Sequence, residues 1–161
     1  METTIYLNAI ARLKSAEATA AFTTAVQPAP VRFAWYEGQP EETLSDDNKT
    51  YPFNCPAIFF EFQESTYERG NGLTQKGEGK LIVHVTQLKN VDGVDGAETS
   101  AEFIKLAQYA DLIVDVLSGY PMECSAKLFM TNVLKDHSNR ALMVDKITFQ
   151  WNATRRRALI P

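Results

Sequence analysis

Cysteine and histidine are scarce in this chain of 161 residues, with two of each. Cys55 and Cys124 are too few for the disulfide framework that staples small secreted domains, so a reducing compartment is expected. The four residues lie far apart and show none of the short spacings that zinc sites use, so no metal and no cofactor is expected. Positive charge is also in short supply, 16 Lys and Arg against 20 Asp and Glu, a net charge of −4. A general nucleic-acid binder needs a basic face to release counterions, and that class is set aside. No apolar run approaches the length of a transmembrane span. The opening METTIYLNAIARLKSAEATA places Glu2 where a signal peptide carries positive charge, and polar residues break its apolar run.

What the chain does have is ordinary globular material. Apolar residues make up 45% and charged residues 22%, proportions that build a core within one soluble domain. Residues 4 to 15 read as a helix capped by Thr3 or Thr4, with Leu7, Ile10 and Leu13 at three-residue steps and Tyr6 and Ala9 alongside. Alanines let it run on toward Val26 until Pro28 and Pro30 end it. VRFAWY, 31 to 36, alternates as a short half-buried strand. The segment 37 to 50 is polar and acidic, and long for a connection inside a domain.

YPFNCPAIFFEF, 51 to 62, follows. Pro52 and Pro56 bias Tyr51 and Cys55 toward extended backbone, and from Ala57 the alternation Ile58, Phe60, Phe62 marks a strand with one strongly apolar face. Residues 64 to 79 hold four of the eight glycines and read as a flexible loop or irregular hairpin arm. KLIVHVTQL, 80 to 88, is the clearest strand. The two Asp-Gly pairs that follow are turn chemistry. A second helix is expected over 100 to 118. Thr99 and Glu102 would form its capping box, Phe103, Ala107, Ala110, Val114 and Leu117 its stripe with Leu106 and Ile113 beside, and Gly119 and Pro121 its stop. Strands at 126 to 134 and 142 to 154 close a domain spanning 1 to 154, and 155 to 161 reads as a C-terminal tail. The fold class is α+β, a mostly antiparallel sheet with two helices packed on one face.

Chemistry is harder to find. A nucleophile needs an adjacent base. Cys55 has His84 or His137 as candidates, but its surroundings read as a strand entrance where cysteine acts as a small hydrophobe. His84 reads as a half-buried sheet residue and His137 as a turn residue beside Asp136 and Ser138. RGNGLTQKGEGK lacks the GxxxxGK[ST] spacing of a phosphate loop, and no helix follows it. The carboxylates Glu37, Glu41, Glu42, Asp46 and Asp47 share one polar loop and read as solvated rather than tuned for acid-base work. Tyr67 and Arg69 are residue types that interfaces favour. Arg155, Arg156 and Arg157 form the one basic cluster, suited to an acidic partner or phosphate, or to keeping the terminus solvated. No catalytic residue is assigned, and an enzyme is not expected.

The combination has a counterpart. An amphipathic N-terminal helix leads to VRFAWYEGQPEE with its GQ, then to YPFNCPAIFFEF with its YP…PA entry. A glycine-bearing segment and KLIVHVTQL follow, then AEFIKLAQYADLIVDVLSGY with its L-x-GY end. LFMTNVLKDHSNRALMVDKITFQWNAT closes the pattern. Over about residues 4 to 154 the chain resembles the tail-terminator or neck proteins of tailed bacteriophages and prophages, in the branch found with Bacteroides-type bacteria. The resemblance implies a tail-terminator-like fold and a virion component without cofactor. Such a subunit forms a ring, usually a hexamer, that caps the tail tube and joins it to the head-completion and connector proteins. DNA would only pass through the lumen, and no membrane is involved. Two other classes stay open beside it, a host-encoded ligand- or partner-binding module and a small Cys55-dependent enzyme.

Overall fold

Strand alternation and helix periodicity sort the chain into elements that share one core. The computed structural model describes residues 1–25, 30, 32–38, 55–69, 74–88, 96–136 and 142–156. In chain order the elements are α1 (Glu2–Leu13), α2 (Ala16–Ala25), β1 (Arg32–Trp35), β2 (Ala57–Arg69), β3 (Thr74–Leu88), α3 (Gly96–Leu117), β4 (Lys127–Asp136) and β5 (Leu142–Arg156). A single 3-10 turn, Glu123–Ser125, precedes β4. The five strands form one sheet in the order β1-β2-β3-β5-β4. β1 pairs with β2 in parallel, and every other neighbour pair is antiparallel. The protein is therefore α+β.

The expected pair of helices is three among the described residues, because the N-terminal helix breaks at Lys14 and Ser15. The Lys14 N–H still donates to the Ile10 carbonyl, but the Ser15 N–H turns to that of Arg12. Ser15 then caps the next helix, its Oγ accepting from the Ala18 N–H at 3.2 Å. A side-chain acceptor at that place satisfies an orphan donor of the new first turn. Arg12 reaches across the break to Glu17 at 2.9 Å.

The buried line of α1 is Ile5, Ala9 and Leu13, while Leu7 is 58% exposed. Four-residue steps hold one face of a helix better than the three-residue steps expected for Leu7, Ile10 and Leu13. In α3 the buried residues are Leu106, Tyr109, Ala110, Ile113 and Leu117, so the stripe is centred on Leu106 and Ile113, and Ala107 and Val114 flank it. Residues 96 to 99 already belong to α3, which places Thr99 inside the helix rather than at its cap. Gly119, at φ +71°, follows the helix end, a left-handed conformation that glycine adopts without steric cost.

All three helices lie on one face of the sheet. There Ile5, Leu13, Phe22, Tyr109 and Ile113 share a single core with Ile58, Phe60, Val83, Ile147, Phe149 and Trp151 from alternate strand positions. Burying one such side chain contributes about 1.5–3 kcal/mol. The opposite face carries a smaller buried cluster, Ala57, Phe59, Leu142 and Val144, with Ala34, Tyr36 and Cys55 packed against it.

Two expectations about irregular segments are decided by the pairing. Of the two readings of 64 to 79, the irregular hairpin arm is found and the flexible loop is not, since β2 runs to Arg69 and β3 begins at Thr74, paired antiparallel with a register shift between Gln63 and Thr66. Gly77 and Gly79 serve close packing. A Cβ on Gly77 would lie 2.9 Å from a Tyr67 ring carbon, and one on Gly79 would lie 3.0 Å from both the Ser65 Cα and the Trp151 ring. The 155–161 tail also shortens, because β5 continues through Arg156, with Arg155 paired to Gln75 and Arg156 to Thr74. Most of the acidic segment, from residue 39 on, lies outside the described residues, as do His137 and Arg157.

Candidate functional site

The Cys55 reading can be tested by register. Ala57 pairs with Thr86, and Phe59 with His84. The Cys55 thiol therefore reaches the backbone of Leu88, four positions along β3 from His84, which at strand rise is about 13 Å. His84 is not in reach as its base. Burial pushes the Cys55 thiol up to about 11, against a smaller lowering by the Leu88 backbone. A thiol in that state holds almost no thiolate at neutral pH.

This carries a direct prediction. In a Cys124→Ser background, Cys55 in the folded protein should react with a thiol reagent at pH 8 at least about tenfold more slowly than in the unfolded chain. Equal or faster labelling would restore Cys55 as a reactive centre.

His84 has a different setting. It is only 2% exposed, more deeply set than a half-buried sheet position. Its Nε2 lies 2.9 Å from Glu61 Oε2, and its ring stacks on Tyr36 with centroids 4.1 Å apart and planes 9° from parallel. Glu61 also accepts from the Gln63 side-chain amide. Lys146 sits across from His84 on β5. Glu61 and His84 come from β2 and β3 and Tyr36 from the residue just after β1, so no spacing in the chain announces them. A carboxylate against one ring nitrogen orients the imidazole. Combined with a stacked ring it locks the side chain in place, which suits a buried polar tie between strands.

The residues singled out for contact sit at the far end of the sheet. Tyr67 pairs with Gly77 and Arg69 with Gln75; Gly77 pairs with Ala153 and Gln75 with Arg155. Directly opposed residues share a face, so Tyr67, Arg69 and Arg155 occupy adjacent rows of one face. Arg156 falls one register position further along, opposite Thr74. The Tyr67 hydroxyl donates to Glu2 Oε1 at 2.9 Å, which ties the arm to the start of α1. Its phenol is held above its ordinary pKa, first by burial and then by that carboxylate.

An aromatic series that the sequence did not announce leads to this arm. Tyr6 meets Trp35 edge-on at 5.2 Å, Trp35 stacks on Phe62 at 5.5 Å, and Phe62 and Tyr67 both approach Trp151 at 6.3 Å. Trp35 is 40% and Tyr67 45% exposed, so the series surfaces at both of these rings. Exposed large apolar residues also gather on β4, where Phe129, Met130 and Leu134 are 48%, 42% and 56% exposed.

The cleft on the other side of the arm is shallow, about 270 Å³, and lined by polar side chains such as Glu68, Lys76 and Asn152. Among the described residues no three His, Cys, Asp or Glu side chains cluster as metal ligands. Nor is any described helix long and apolar enough to cross a membrane. The chain matches no protein-family model and no curated protein.

Proposed function

We propose that this protein is a structural subunit of a phage neck or tail-terminator ring, which caps the tail tube and joins it to the head connector within the virion. On this reading the chain acts by assembly, as a hexamer, and its partners are copies of itself, the tail-tube protein and the connector proteins.

The observation that carries the reading is where the exposed apolar and aromatic residues lie. Trp35 and Tyr67 surface toward one edge of the sheet and Phe129, Met130 and Leu134 at the other edge. A ring subunit needs two different surfaces on opposite sides, because head-to-tail contacts that close by rotation never match a patch with itself. Aromatic residues and arginines are what protein interfaces favour over the rest of a surface. An α+β fold with a sheet backed by helices is what the family resemblance implies, and the arm of β2, β3 and β5 gives such a subunit an extended surface for its neighbours. A net charge of −4 suits a lumen through which DNA slides without adhering.

Light scattering over a concentration series, with negative-stain images of the same fractions, tests the proposal. The expected result is a closed ring with a central hole and a mass about six times the 18.0 kDa of one chain. A stable dimer with no larger species, and no binding to a tail-tube protein, would overturn it in favour of a partner-binding module.

A further inference from the structure

The sheet has two open edges, and the hydrogen bonds at each show which backbone groups are unused by neighbouring strands. On β4 the Leu128 carbonyl accepts from the Gly119 N–H at 2.9 Å, so Leu128 faces away from β5. The register shifts between Met130 and Asn132. The Thr131 hydroxyl there donates to the Thr148 carbonyl, which fixes Thr148 as facing β4. Strand alternation then turns the backbone N–H and C=O of Val133 and Lys135 outward. On β2 the Phe60 carbonyl accepts from the Tyr36 N–H at 2.9 Å. Alternation from Phe60, and through the shift between Gln63 and Thr66, turns Phe62, Tyr67 and Arg69 outward. Among the described residues no strand pairs with β4 beyond Leu128 on this side, or with β2 beyond Phe60.

These edges complement each other. β2 and β4 run in opposite directions, because β2-β3, β3-β5 and β5-β4 are each antiparallel. A second copy added in the same sense therefore brings its β2 antiparallel to β4. The open stretches, 61–69 and 130–136, are of similar length. Charge does not oppose the contact, since EFQESTYER holds three glutamates and one arginine while MTNVLKD holds one lysine and one aspartate. On the helix-covered face exposed Met130 and half-buried Val133 would meet Phe62 and Tyr67, while Phe129 and Leu134 lie on the opposite face of the same edge. Both edges carry a bulge, which raises local twist, so each added copy is rotated rather than laid flat.

We infer that copies of this chain join edge to edge, the β4 edge of one pairing antiparallel with the β2 edge of the next. This contact deepens the ring proposal and rests on it for closure. The occupant of each edge is a second copy, in the manner of a strand added to a sheet.

Proline substitution tests it, because proline removes an N–H and is tolerated where that N–H faces outward from an edge. Lys135→Pro blocks the β4 edge and Arg69→Pro the β2 edge, and neither N–H serves the internal ladder. Circular dichroism checks that both variants fold, and Leu134→Lys tests the β4 edge through a side chain that is already 56% exposed. By light scattering, each variant alone should be monomeric. A mixture of the two proline variants should stop at a one-to-one dimer, each component keeping one usable edge. If folded proline variants keep the wild-type mass, the inference is overturned and the ring proposal survives. Wild-type dimers or open filaments lost in both variants would support the contact and overturn the ring. A wild-type chain that stays monomeric at every concentration overturns the inference and assigns the edges to another protein's strand.

Discussion

Trp151→Ala is expected to lower the unfolding free energy by about 3–5 kcal/mol, among the largest losses a single side chain can cause here. Trp151 is fully buried on β5, opposed by Gly79 on β3 and Leu128 on β4. Its ring also meets Phe62 and Tyr67. Truncation removes the transfer free energy of the indole and opens a cavity among rings that cannot collapse independently. Urea unfolding followed by circular dichroism measures it, with an unchanged slope showing that the midpoint shift is stability. A loss under about 1 kcal/mol, typical of a surface position, would mean that the arm does not pack on the core as described.

Gly79→Ala is expected to destabilise by about 1–3 kcal/mol, because the added methyl has no room. Its Cβ would stand 3.0 Å from the Ser65 Cα, which is backbone and yields only if the strand moves. The sign of this result discriminates between two readings of the same sequence. In a mobile glycine loop the change would reduce the entropy of the unfolded chain and stabilise by about 0.4–1 kcal/mol. In a strand crossed closely by Trp151 and Ser65 it does the reverse. The same urea titration decides, and a stabilised variant would return the segment to the loop reading.

How much of this was legible in the sequence depends on whether the information was local. Alternation marked β1, the first half of β2, the second half of β3 and β5, where the period of two is plain in AIFFEF and KLIVHVTQL. The prolines after α2 and Gly119 after α3 marked ends for reasons internal to the backbone. The arm was left open between a loop and an irregular hairpin because GNGLTQKGEG carries the composition of a loop. Gly77 and Gly79 answer to Tyr67 and Trp151, residues brought there by pairing and not by neighbourhood in the chain. The helix break at Ser15 was hidden among alanines whose propensity favours continuity, although the serine cap was available to be read. Tyr36, Glu61 and His84 meet only once the β2-β3 register is set. Of the contact residues, Tyr67, Arg69 and Arg155 were chosen by residue type, and the sheet brings them to one face.

The order β1-β2-β3-β5-β4 also has a consequence for synthesis. The last of the described strands lies in the interior of the sheet, and the strand made before it lies at the edge. While the ribosome is producing β4, the flank of β3 that β5 will occupy has no partner, and β4 has no strand to join. Neither can settle until β5 emerges and zips between them, with Ile147, Phe149 and Trp151 completing the layer under the helices. Closure by so distant a segment is slow relative to local helix formation. A nascent chain stalled short of β5 would therefore present β3 and β4 as two separate sticky ribbons, and the interval before release is when this protein is most exposed to the wrong neighbour.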